Sequence, residues 1–298
     1  MITVRKEHRL AGQGAILLCA VLWSTSGLFI RLIDWHPAVI AGSRSGLAAL
    51  FMLTLRLLTI KKSSVNIKTV LTKTPKLALC GLCYTSTMML FVIANKLTGS
   101  ANAILLQYAA PVWAALLAWL FLRERPHWEN WCALVLVSAG MFMVFSGDLS
   151  RGFTARSLLG DILALVSGVT FGANSVVLRY RKYDNPADIM LFAHIICALV
   201  SIPFFFLYPP ALTVHNLLSI TFMGIVQIGM ASVLFAYGIR RIPAVQAMLT
   251  ATIEPVLNPL WVLAVMGERP AVSVIAGGAV ILAAVAFSST LSALRRRN

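Results

Sequence analysis

The chain has 298 residues, 59% of them hydrophobic and only 12% charged, with a formal net charge of +15. Soluble domains run nearer about 45–50% apolar and ~25% charged, so this composition excludes one ordinary soluble core. The basic residues interrupt apolar stretches and form no continuous face, which argues against nucleic acid as a partner.

A bilayer core about 30 Å thick is crossed by ~20 apolar helical residues. Reading in chain order, the apolar segments predict ten membrane-spanning helices in an all-α integral membrane protein. The first half holds spans at about 12–31, 38–60, 77–95, 100–122 and 128–146. A glycine-bearing connection, 147–158, follows. The second half holds spans at about 159–178, 187–208, 214–239, 243–266 and 271–291. The basic N-terminal segment (Arg5, Lys6, Arg9) followed by an apolar run has the look of a signal peptide. No small-residue cleavage pattern follows it, and the run is long enough to span, so it is read as the first helix.

Pro126, Pro186, Pro243 and Pro270 fall at helix starts, where a missing N–H costs nothing. The very short connections Arg123–Pro126 and Gly267–Pro270 predict antiparallel neighbours.

An even number of spans puts both termini on one side. The loops of that side, with the termini, carry 19 of the 25 Lys and Arg residues; the opposite loops carry five, and Arg44 lies within the second span. An excess of this kind places both termini in the cytoplasm.

The two halves repeat. Gln107-Tyr108-Ala109-Ala110-Pro111 aligns with Ala251-Thr252-Ile253-Glu254-Pro255, and Glu124-Arg125-Pro126 with Glu268-Arg269-Pro270, both at an offset of 144. Trp23 and Arg31 align with Phe171 and Arg179 at an offset of 148. Each half has an odd number of spans, so the second enters the membrane from the opposite side. Residues 1–152 and 153–298 are therefore predicted to be two inverted five-helix repeats. Such repeats suit alternating access about a site near the midplane.

These features resemble the drug/metabolite transporter superfamily. Each half has a mid-helix proline and an acidic turn before its last helix. The stretch Leu22-Trp23-Ser24-Thr25-Ser26-Gly27 and the Arg44 region are similar to EamA-type members. The resemblance implies a bacterial inner-membrane carrier, most often an exporter of amino acids, related metabolites or toxic compounds. It also implies a central cavity lined by spans 1, 3, 4, 6, 8 and 9.

Polar groups are costly in hydrocarbon and tend to face a cavity or a partner. Glu254, near the middle of span 9 and directly before Pro255, is the clearest case. It can exchange protons during transport, hold a cationic group of the cargo, or serve backbone groups freed by Pro255. Pro111 and Pro255 each remove a helix hydrogen bond and predict matched kinks. Gln107, Tyr108, Trp23, Ser24, Thr25, Phe171 and Asn174 are candidate cavity residues, with Trp113 an aromatic that fits a cavity wall or lipid. Asn258 and Gln227 read first as interhelical hydrogen-bonding residues. His194 reads as a packed residue. Arg44 can pair with Glu254 or Asp161, bind an anionic cargo, or snorkel to the interface. Glu124 and Glu268 read as structural helix ends. Gly42-x-x-x-Gly46 and Gly168-x-x-x-Gly172 signal close helix approach. Cys80 and Cys83 have C-x-x-C spacing, but no second Cys or His pair lies near in sequence, so they read as small packing residues.

The expected function is secondary transport: a small amphipathic metabolite, such as an amino acid or amine, exported by alternating access, with protons as a candidate coupling ion. The alternatives are an importer or facilitator, and a non-transporting membrane protein or enzyme. No Walker A segment occurs, which argues against direct ATP use. No catalytic residue, metal or cofactor is expected. The expected partners are a small-molecule substrate and the lipid bilayer, and the sequence leaves the oligomeric state open.

Overall fold

A computed structural model describes residues 2–59, 74–98, 100–146, 154–180, 186–266 and 272–294, and every regular element within them is helical. The lysines at 61, 62, 68 and 73, the middle of the connection between the halves, Arg181 and Lys182, the Gly267–Pro270 turn with Glu268, and the C-terminal arginines lie outside the described residues.

The elements are α1 (Ile2–Trp23), α2 (Ser26–Leu32), α3 (Pro37–Thr59), α4 (Thr74–Leu97), α5 (Ser100–Gln107) and α6 (Ala110–Leu117). They continue with α7 (Trp128–Ser146), α8 (Ala155–Tyr180), α9 (Pro186–Leu207), α10 (Val214–Phe222), α11 (Ala231–Ile239), α12 (Ala244–Ala251), α13 (Glu254–Met266) and α14 (Val272–Leu294). Two wider π-helical stretches, Ala118–Leu122 and Met223–Met230, extend α6 and join α10 to α11.

Seven helical runs among the described residues are long and apolar enough to cross a membrane: Glu7–Ile30, Pro37–Leu58, Ala78–Leu97, Ala155–Tyr180, Pro186–Leu207, Val214–Ile239 and Ala244–Val265. Ala110–Leu122 and Ile275–Ser288 are shorter apolar helices. The outer surface is apolar, with Leu58, Phe206 and Val272 largely exposed, as suits contact with lipid tails.

The prolines act where proline chemistry requires. Pro111 is the second residue of α6 and Pro255 the second of α13. Neither has an N–H to continue the helix before it, so α5 stops at Gln107 and α12 at Ala251. The interrupted residues, Tyr108–Ala109 and Thr252–Ile253, stand 144 apart. At both places the chain tightens into three-residue bonds: Ala109 N–H donates to Leu106 O (3.2 Å) and Thr252 N–H to Leu249 O (3.2 Å). The short connection after α6 is closed by Arg123, whose φ of 55° is left-handed; only a tight turn obliges a β-carbon residue to sit there.

Packing pairs helices of the two halves. Helix α3 lies on α9, α7 on α14, α4 on α8, α1 on α11, and α6 on α12. The glycines that signal close approach differ in how much they are needed. A β-carbon at Gly42 would fall 2.2 Å from Ser201 Cβ, whereas one at Gly46 would meet only Ala198 at 3.8 Å. At Gly168 and Gly172 it would press on the Gln107 carbonyl at 2.7 Å and the Ala110 carbonyl at 3.0 Å. Gly168 and Gly172 therefore seat α8 against the interruption between α5 and α6.

Long-range polar contacts define two ends. At one, Arg9 donates to Gln246 Oε1 (3.2 Å), Arg56 pairs with Asp188, and Arg179 pairs with Glu124 at 3.1 Å. At the other, Lys96 Nζ donates to Ile33 O (2.7 Å), Trp35 Nε1 to Ala211 O (2.9 Å) and Thr98 Oγ1 to Asp161 (2.6 Å). Each end gathers connections that the charge count assigns to a single side.

Candidate functional site

A cavity lies inside the bundle where the interrupted helices meet, with about 520 Å³ of space including the part continuous with solvent. Four of the departures from regular helix place a side chain on it. Trp23 is the last residue of α1, Gln107 the last of α5, Glu254 the first of α13, and Gln227 lies in the π-helical stretch; all four line the cavity. Helix irregularities recur at functional sites because they re-aim side chains that a straight helix would direct elsewhere.

One wall is aromatic. Trp23 meets Phe171 edge-on, with centroids 5.6 Å apart, and Phe235 lies 5.3 Å from Trp23. Phe91 adds a fourth ring. Three aromatics in mutual edge or tilted contact make a rigid apolar surface suited to a flat or aliphatic group.

The polar groups stand apart from one another. Gln107 Nε2 donates to Ser167 Oγ (2.7 Å), and Asn174 Oδ1 accepts from Cys80 Sγ (3.1 Å). Gln227 Nε2 reaches Trp23 O at 3.4 Å, while its Oε1 has no partner. Arg44 is 1% exposed; its Nη2 reaches only Met88 Sδ (3.3 Å), and its Nε has no partner. Snorkelling is therefore not what Arg44 does, and it makes no ion pair with Glu254 or Asp161. Asp161 instead accepts from Thr98.

Tyr108 does not line the cavity but sits directly behind it. Its hydroxyl lies 2.5 Å from Glu254 Oε2 and 2.9 Å from the Ala251 carbonyl oxygen, the carbonyl that Pro255 cannot engage. A phenol carries one proton, so it can donate to only one of these acceptors. Both contacts become hydrogen bonds together when the carboxyl carries a proton, donates it to the phenol oxygen, and the phenol donates to Ala251. The geometry thus accommodates one further proton between the carboxyl and the phenol.

Ser24 and Thr25 are also off the cavity wall. Ser24 accepts from Trp261 Nε1 (2.7 Å), and its carbonyl accepts from Asn258 Nδ2 (2.7 Å), so the interruption between α1 and α2 is tied to α13. Thr25 Oγ1 turns back to Leu22 O (2.8 Å). Trp113 stands on the outer surface, 38% exposed. His194 is buried, with Nε2 between Tyr84 Oη (3.3 Å) and Ser232 Oγ (2.8 Å).

Sequence reasoning passed over Tyr84, Thr87, Met88 and Phe91, which all line the cavity from α4. Their spacing of i, i+3, i+4 and i+7 is one helical stripe, a signal present but masked by the uniform hydropathy around it. Arg44 of α3 and Met190 of α9 extend the lining beyond the six spans the resemblance implies. The five cysteines are free thiols, and no group of three or more metal-ligating side chains occurs among the described residues.

Comparison with known proteins gives a consistent picture. The sequence model of the EamA-like transporter family matches residues 10–146 and 158–290. An uncharacterized transporter of Archaeoglobus fulgidus is 27% identical over 277 residues, covering 92% of this chain and 94% of that protein. The uncharacterized transporter YwfM of Bacillus subtilis is 29% identical over 195 residues, 64% of each chain. A solved crystal structure superposes with a TM-score of 0.77 at 18% identity, covering 98% of this chain and 99% of the other; that likeness is one of fold.

Proposed function

The chain belongs to the EamA-like transporter family, and we propose that it is a secondary carrier exporting a small amphipathic metabolite, such as an amino acid or amine, by alternating access. The observation that carries this reading is the cavity itself. It lies within the bundle and is partly open to solvent, has an aromatic wall and separated polar groups, and abuts both proline interruptions.

The architecture we infer is ten spans in two inverted repeats, residues 1–152 and 153–298. Three observations support it. The interruptions before Pro111 and Pro255 stand at the same offset as the sequence repeat. The helix pairs survive exchange of the halves: α4 on α8 becomes α11 on α1 and α6 on α12 becomes α13 on α5, while α3–α9 and α7–α14 map onto themselves. The family match falls in two segments of similar length. Two like bundles of opposite orientation can present one central site to either side in turn.

In this reading the cargo's apolar body rests on Trp23, Phe171 and Phe235. Its polar end engages Gln107, Asn174 and Gln227, and Glu254 exchanges a proton through its contact with Tyr108. The kinks at Pro111 and Pro255 are the points about which the cavity wall rocks. On the same reading both termini lie in the cytoplasm, which the concentration of Lys and Arg supports, and the protein sits in a bacterial inner membrane.

The test is mass spectrometry of the growth medium of cells expressing the wild-type chain, Glu254→Gln, or an empty vector. Metabolites enriched outside by the wild type name the cargo and establish export. Depletion from the medium instead would establish import. No change in either direction, with the protein confirmed in the membrane and a broad metabolite supplement supplied, would count against carriage of such compounds.

A further inference from the structure

We propose that Arg44 is the subsite for an anionic carboxylate of the cargo, so that the transported class is organic carboxylates with an apolar body, amino acids included. The inference rests on the carrier reading and adds a chemical requirement to it.

Arg44 is a guanidinium inside the bundle with no direct ion pair; Glu254, which lines the same cavity, acts on it only at longer range. It is 1% exposed, touches a thioether, and has a free Nε. No carboxylate of the described residues lies within ion-pairing distance of it. Among the described residues Glu254 is the sole carboxylate lining the cavity, and its Oε2 is held by Tyr108. A buried charge normally comes with a partner, because withdrawing it from water is costly. Here no carboxylate is in contact with the guanidinium, while the side chain faces a cavity. A guanidinium offers a planar fork of N–H donors that matches a carboxylate in two-point contact.

The rest of the lining fixes the class further. Among the described residues Arg44 is the one basic residue on the cavity, which suits a single negative charge rather than a phosphate dianion. Trp23, Phe91, Met88, Phe171, Met190 and Phe235 surround it with apolar surface suited to a hydrocarbon body. Gln227 Oε1, an acceptor without a partner, can take an N–H of the same molecule.

The experiment uses the purified full chain in nanodiscs and isothermal titration with matched acid and amide probes: 3-phenylpropionate against 3-phenylpropionamide, hexanoate against hexanamide, and phenylalanine against phenylalaninamide. In at least one pair the acid should bind about tenfold or more tightly than the amide, the scale of a charge-assisted hydrogen bond. In Arg44→Gln that preference should fall to within about threefold, and Arg44→Lys should recover part of it. The wild-type comparison stands even where a variant does not fold. Absence of an acid preference in every pair, undetectable binding included, overturns the proposal, as does a preference that survives Arg44→Gln in folded protein. Proteoliposome flux separates this from the carrier reading. An Arg44-dependent acid preference without flux would retain the subsite and remove the carrier. Flux of a cargo lacking a carboxylate, unchanged in Arg44→Gln, would retain the carrier and remove the subsite.

Discussion

Tyr108 and Glu254 meet at 2.5 Å, and their contact joins the two proline interruptions of the fold. Tyr108 follows directly on α5, and Glu254 opens α13. The same phenol reaches the carbonyl that Pro255 leaves unused. Removing it strands a buried acceptor on each side. Tyr108→Phe should therefore cost about 1–3 kcal/mol, read as a melting temperature lowered by several degrees in detergent. An unchanged melting curve would mean that the phenol contributes no net stability.

If that contact seats a transported proton, the two variants of Glu254 must differ in kind. Glu254→Gln preserves size and hydrogen-bonding capacity but cannot exchange the proton. In proteoliposomes it should retain cargo counter-exchange and lose accumulation driven by an imposed pH gradient. Glu254→Ala should lose both. Undiminished gradient-driven accumulation in Glu254→Gln would reduce the carboxyl to a structural role.

The glycines give a graded test of the packing. Gly42→Ala and Gly168→Ala force a β-carbon within 2.7 Å or less of neighbouring atoms, and should each cost about 1–3 kcal/mol as overpacking. Gly46→Ala meets its nearest neighbour at 3.8 Å and Gly14→Ala meets nothing within 4 Å; both should melt like the wild type. Equal losses at all four positions would show that something other than close approach sets the cost.

Arg179 joins three elements at one end. It pairs with Glu124 beyond α6 and donates to the Ile239 carbonyl (3.2 Å) at the end of α11. Arg179→Ala should therefore destabilise more than Glu124→Ala. A double-mutant cycle should assign the ion pair itself under about 1 kcal/mol, since Glu124 is partly solvated. A larger coupling energy would mark the pair as the principal tie at this end.

Sidedness is open to labelling. In a background with the five native cysteines replaced by alanine or serine, Ala211→Cys should react with a membrane-impermeant maleimide in intact cells. Arg240→Cys should react only after permeabilisation. The reverse pattern would invert the orientation drawn from the charge count.

The sequence made much of this legible because its signals are local. Hydropathy marks where helices run, and the described helices follow the predicted spans within a few residues through most of the chain. The interruptions before Pro111 and Pro255 were readable because proline lacks an N–H whatever its neighbours are. Trp23, Gln107, Phe171, Asn174 and Glu254 could be picked out as polar or aromatic residues out of place in hydrocarbon. The helical stripe of Tyr84, Thr87, Met88 and Phe91 was not picked out, because most of α4 is apolar on every face and periodicity has little contrast there.

Tertiary structure decided which of these residues share a space. Ser24 and Thr25 are as polar as Gln107, yet α13 and the local backbone take up their hydrogen bonds, and they never reach the cavity. Arg44 looked free to snorkel, but α3 packs with that face inward against α4 and α9. In a helix that is apolar all round, composition leaves its rotation open. Only the packing of helices distant in sequence fixes which face meets the cavity and which meets lipid.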